Sequence, residues 1–203
     1  MSTSPRTRST ADERRTVVLE QALRVFARTG YHATPVSDVA TAAGISQGYV
    51  IRLFRTKLEL FVAVVDACFA RIAETLDAGS EHARGEDAEV VLEAMSNAYI
   101  ELIADRDLLM LQVHAQSAAD IPEIREAMQR GLARVTTLAS DRSHGSAEQV
   151  QRFLAYGQLC HLIVTAGLDE VDAPWATTLT HGVRHPEAVD PAAGTPTGKE
   201  VKS

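Results

Sequence analysis

Apolar residues in this chain recur at intervals of three and four, the period of a helix. Val18, Ala22, Val25 and Phe26 share one face, which the capping box Thr10-Ala-Asp-Glu13 opens and Gly30 closes. Thr34-Pro35 offers an N-cap followed by proline at the first helical position, for a short second helix that stops before Gly44. Ser46 caps a third, with Ile45 and Val50 at the hydrophobic-staple positions. Thr56-Lys-Leu-Glu59 forms another capping box for a fourth, running to about residue 77.

No proline falls between Pro35 and Pro122, or between Pro122 and Pro174, so two long windows lack the strongest helix breaker. Helices are predicted over about 87–104, 108–119, 121–140 and 147–168, the last opened by Ser146-x-x-Gln149. No segment alternates as a strand does, and the fold class is all-α. The 147–168 helix is apolar on two sides. Val150, Phe153, Leu154, Gly157, His161 and Val164 form one seam, and Leu159, Leu162, Ile163 and Ala166 form another. One seam can face the chain's own bundle and the other a second subunit, with Val150, Gly157, Val164 and Leu168 as the expected dimer contacts. A central helix in a monomer stays open as the alternative. Trp175-Ala-Thr-Thr-Leu can form a short helix, and the Pro- and Gly-rich end, 186–203, is expected to be disordered.

Composition adds an asymmetry. The 203 residues carry a net charge of −7. Residues 1–57 nevertheless hold nine Lys/Arg against four Asp/Glu, for +5, while the rest hold eleven against twenty-three, for −12. Only the front is suited to a polyanion. No run of eighteen apolar residues and no apolar signal core occur, so a cytoplasmic protein is expected. Cys68 and Cys160 stand alone in apolar segments and read as buried reduced thiols.

The segments VSDVATAAG and ISQGYVIRLF have the form of a helix-turn-helix, whose second helix lies in the major groove of DNA. Val39, Ala40, Ala43, Ile45, Val50 and Phe54 would pack the unit. Ser46, Gln47, Gly48, Tyr49, Arg52 and Leu53 would then face outward. Glutamine can pair with adenine, arginine with guanine or phosphate, and an apolar tip can touch a thymine methyl. Gly48 lets the backbone approach, while Thr34, Ser37 and Lys57 stand at helix starts suited to phosphate.

Residues 14–65 resemble the DNA-binding domain of the tetracycline-repressor (TetR) family. The matching features are Ala22, Phe26, Gly30-Tyr31, Thr34, Ala40, Ala43-Gly44-Ile45-Ser46, Phe54, Lys57 and Leu60, in order. The resemblance implies a homodimeric, ligand-responsive transcriptional repressor on a palindromic operator, released by a small-molecule effector; an activator role is a smaller variant. It implies an arm at 1–10, a DNA-binding domain at 11–57 with the helix-turn-helix at about 34–54, and a ligand-binding and dimerisation domain at 58–185. The family commonly places backbone-contacting Tyr and His where this chain has Ile51 and Leu53. Tyr49 is expected to supply a replacement contact.

The effector pocket is expected among polar residues that interrupt apolar faces of the rear bundle: Ser96, Tyr99, Ile103, Met110, His114, Ser117, Phe153, Tyr156 and His161. His181 and His185 are four apart, but Gly182 and Pro186 spoil the helix that would align them as metal ligands. No GxSxG, HExxH or phosphate-cradling glycine loop is present, so neither a cofactor nor catalysis is expected. The competing reading is a helical small-molecule-binding or enzymatic protein with a purely structural helix-turn-helix. The basic front and exposed Gln47 and Arg52 weigh against it.

Overall fold

The computed structural model describes residues 6–183, with side chains from residue 12 onward. Every regular element among them is helical: α1 Arg6–Ala33, α2 Val36–Ala42, α3 Gln47–Phe54, α4 Lys57–Glu81, α5 Ala88–Ile103, α6 Arg106–Ser117, α7 Pro122–Ser143, α8 Ala147–Ala166, a 3-10 turn Leu168–Glu170, and α9 Pro174–Thr180. The expected tail, His185 and the first five residues of the expected arm lie outside the described residues.

The capping residues read from the sequence account for several of these boundaries. Ser46 accepts from the Tyr49 N–H at 3.2 Å, and Thr56 accepts from that of Glu59 at 3.0 Å. Ser146 and Gln149 form a complete reciprocal box. Two expectations fail. Helix α1 starts at Arg6, before Thr10, because no glycine or proline in 6–29 stops it from extending backward. Thr34 does not cap α2, whose N-cap is Pro35. Its hydroxyl instead donates to the Gly30 carbonyl at 2.6 Å and lies 2.6 Å from the Thr29 hydroxyl. Gly30 has φ 73° and ψ 179°, so the helical ladder breaks there and Thr34 satisfies a freed carbonyl.

Helix α4 is the central post. Helices α5 and α7 flank it, α1 packs on α4 and α6, and α8 crosses α5, α6 and α7. One hydrophobic core runs from Val18, Phe26, Val50 and Phe54 at the front, through Phe61 and Val65, to Met95, Ile124 and Val135 at the rear. Phe26 meets Phe61 edge to face with ring centroids 4.8 Å apart, and Tyr31 leans on the same ring. A smaller cluster of Ile103, Leu109 and Cys160 sits under α8. Cys68 and Cys160 are both buried thiols outside any disulfide, as the sequence suggests. Burial pushes the Cys68 thiol up to about 12 and the Cys160 thiol to about 11, which keeps both as unreactive thiols.

Two close helix contacts depend on glycine. A Cβ on Gly79 would stand 2.7 Å from the Ala98 Cβ, fixing how near α4 lies to α5. One on Gly131 would overlap the Phe69 ring, where α7 meets α4.

Candidate DNA interface and effector cavity

Val39 and Ala40 of α2 and Val50 and Phe54 of α3 are buried against each other and α1, which fixes the short helix pair. That packing leaves Ser37, Ser46, Gln47, Gly48, Ile51 and Arg52 exposed. Tyr49 is half-buried and lies between two guanidinium groups, with Arg52 4.6 Å and Arg14 5.9 Å from its ring centroid. The hydrogen bond from Arg14 holds the Tyr49 hydroxyl below its usual range, against a weaker opposing effect of burial. Helix α1 thereby contributes a cation beside the outer face of α3. Arg14 was not singled out in the sequence, because nothing local shows that it meets a residue thirty-five positions away.

Neighbouring cations are held as well. Arg15 Nη1 donates to the Leu53 carbonyl at 3.2 Å, and its guanidinium lies 4.3 Å from the Phe54 ring centroid. Lys57 Nζ donates to the His32 carbonyl at 3.2 Å and stands over Tyr31, and partial burial pulls its pKa below the usual lysine value. Two members of the expected interface turn inward. Thr34 is only 1% exposed, its hydroxyl used at Gly30, and Leu53 is half-buried against the core. The exposed apolar residue on α3 is Ile51.

In the rear bundle a cavity of about 380 Å³ opens between α4, α5, α7 and α8. Its apolar lining includes Phe69, Ile72, Leu76, Leu92, Val135 and Leu154. Ser96, Tyr99, Phe153 and Tyr156 line it as expected. Gln112, Asn97, Glu93 and Arg152 join them without having been anticipated. Gln112 had a readable signal, a lone amide closing the apolar run Leu108-Leu-Met-Leu111.

The other expected ligand contacts lie elsewhere. Ile103 is buried in the smaller cluster, against which Met110 packs. Ser117 is exposed and donates to the His114 carbonyl at 2.9 Å. His114 faces α1: its Nδ1 lies 2.8 Å from where a Cβ on Gly30 would stand, and its Nε2 is buried without a partner. Helical spacing puts His114 near Met110 in sequence, but docking of α6 on α1 turns its ring away from the cavity. His161 stands behind the wall, with its Nε2 2.6 Å from the Tyr99 hydroxyl. Gln112 Nε2 donates to the same hydroxyl at 3.2 Å. Burial brings His161 down to about 4, so its ring is neutral and can accept from Tyr99.

The expected dimer contacts also face inward. Val150 and Leu168 are buried in the chain's own bundle, Gly157 is in the cavity wall, where an added Cβ would stand 3.8 Å from the Tyr99 ring, and Val164 packs on the smaller cluster. The other seam is divided: Ile163 is fully buried, while Leu162 is 51% exposed and Ala166 is exposed; on α9, Trp175 is 56% exposed.

A helix-turn-helix on a cationic front, joined through one core to a helical bundle containing a cavity, defines a helix-turn-helix transcriptional regulator. The chain belongs to the TetR family. The profile described as bacterial regulatory proteins, tetR family, matches residues 18–64. The HTH-type transcriptional regulator CymR of Pseudomonas putida is 30% identical over 141 residues, covering 68% of each chain. The HTH-type transcriptional activator FasR of Mycolicibacterium smegmatis is 43% identical over 54 residues, 27% of this chain and 25% of that protein. Among solved structures, the transcriptional regulator FadR from Bacillus subtilis in complex with stearoyl-CoA superposes with a TM-score of 0.66 at 14% identity, covering 81% of this chain and 94% of that one. A TetR-family structure from Mesorhizobium loti gives 0.62 at 17%, covering 86% and 87%. At these identities the structures share the fold.

Proposed function

We propose that the protein is a ligand-responsive repressor that binds a palindromic operator as a homodimer and leaves it when a small molecule fills the rear cavity. The observation that carries the DNA-binding part is the outer face of α3: exposed Gln47 and Arg52 flank Tyr49, with Arg14 brought in from α1. Gln47 and Arg52 read base edges, Ile51 meets a thymine methyl, and Arg14, Ser37 and Lys57 hold the phosphate backbone. Ser46 keeps the α3 N-terminus in register through its cap on Tyr49. The functional division is a DNA-binding part to about residue 57 and an effector and dimerisation part beyond it.

The second copy docks on the outer face of α8 around Leu162 and on Trp175 of α9. Two recognition helices then meet successive major grooves, about 34 to 36 Å apart. Ligand binding favours a spacing that no longer fits. FadR with stearoyl-CoA offers a precedent for a small-molecule complex in this fold.

Gel-shift titration on the protein's own promoter region tests the reading. Salt-sensitive binding that Arg52→Ala and Lys57→Ala each weaken supports it. Absence of such binding, or indifference to both substitutions, ends it.

A further inference from the structure

The cavity has a charge pattern that bears on what can enter it. Its floor on α4 is apolar, formed by Phe69, Ile72 and Leu76. The charged residues in its lining are Glu89, Glu93 and Arg152, all near the N-terminal ends of α5 and α8. Arg152 is the sole cation among them, and its Nη2 donates to Glu89 at 2.8 Å. An incoming anion must compete with that carboxylate. Glu93, one turn along α5, forms no ion pair among the described residues. The positive ends of α5 and α8 already carry Glu89 and Glu148 in their own first turns, so they offer little attraction to a further anion. The surrounding domain adds to this bias, since residues 58–183 hold eight arginines and no lysine against twenty carboxylates.

The geometry points to an amphiphilic organic cation as the effector, with its apolar body on the α4 floor and a protonated amine or quaternary ammonium group at Glu93. Phe153 lines the same cavity and adds an aromatic ring on which such a cation can rest. At the other side of the cavity the Tyr99–Gln112 pair offers uncharged hydrogen-bonding groups to a polar substituent on the body. The inference rests on the cavity being the effector site.

Isothermal titration of the full chain with three probes of matched length tests it: 4-phenylbutyltrimethylammonium, its uncharged carbon isostere (5,5-dimethylhexyl)benzene, and 5-phenylpentanoate. The cation should bind at least about tenfold more tightly than the carboxylate. Glu93→Gln, a change at an exposed position, should weaken the cation roughly fivefold and leave the uncharged probe unchanged. An uncharged or anionic probe that binds as tightly as the cation overturns the charge assignment, as does indifference of the cation to Glu93→Gln. No binding by any probe overturns it together with the cavity reading. A gel shift with each bound probe separates the two claims: a cation that binds as expected but leaves the operator complex intact supports the charge assignment and defeats the effector role.

Discussion

In the proposed DNA interface single side chains carry most of the chemistry, and Tyr49 holds two of its cations together. Its ring orients Arg52, and its hydroxyl holds Arg14, so removing it releases two cations at once. Tyr49→Ala should weaken operator binding by about tenfold or more, while Tyr49→Phe, which keeps the ring, should fall between that and the wild type. Equal gel-shift affinity for Tyr49→Ala and the wild type would reduce the residue to local packing. His161 gives a prediction in pH. It titrates near 6.5 when unfolded and at about 4 when folded, so between those values the unfolded chain holds a proton that the folded chain does not. Stability should therefore fall as pH drops from about 6.5 to about 4, by up to about 3 kcal/mol, and this residue should contribute no slope above 6.5. Denaturant titrations across that range should show a shallower acid slope for His161→Gln than for the wild type. A parallel slope would show that burial does not suppress protonation of this ring.

At the scale of elements, close approach sets the geometry. Gly79→Ala places a methyl against Ala98 and the Ala94 carbonyl, the latter 3.1 Å away, and should cost about 1–3 kcal/mol in a thermal or denaturant melt. Gly48→Ala meets no heavy atom within 4 Å and removes a flexible residue from α3. It should raise stability by about 0.5–1 kcal/mol while lowering operator affinity, if the α3 backbone lies close to DNA. Unchanged DNA affinity in that variant would place the backbone farther from the groove. The starts of α3, α4 and α8 were legible because a cap is a local device: Ser46, Thr56 and Ser146 each need a partner only three residues away. Thr34 misled because its Gly30 partner lies behind it in the chain, across a break in the helix that sequence periodicity does not mark. The two apolar sides of α8 were also visible, but which of their residues are buried depended on how α5, α6 and α7 meet it. That is a property of assembly, with no local signature. His114 and the cavity separate for the same reason.

For the whole molecule, the decisive feature is that the core does not stop at the proposed functional boundary near residue 57. Phe26 of α1 and Phe61 of α4 are in edge-to-face contact, and the His114 ring of α6 lies against Gly30. A fragment of residues 1–57 loses both Phe61 and α6, and should show no cooperative thermal transition; a sharp two-state melt of that fragment would contradict the continuity described above. In engineering terms, this protein is a poor source of transplantable domains but a good chassis for new specificities. Of the eight residues of α3, only Val50 and Phe54 are buried. If the proposed interface holds, rewriting the outward positions should reassign the operator while the rest of the scaffold is left alone, whereas a cut at residue 57 divides one solid body in two.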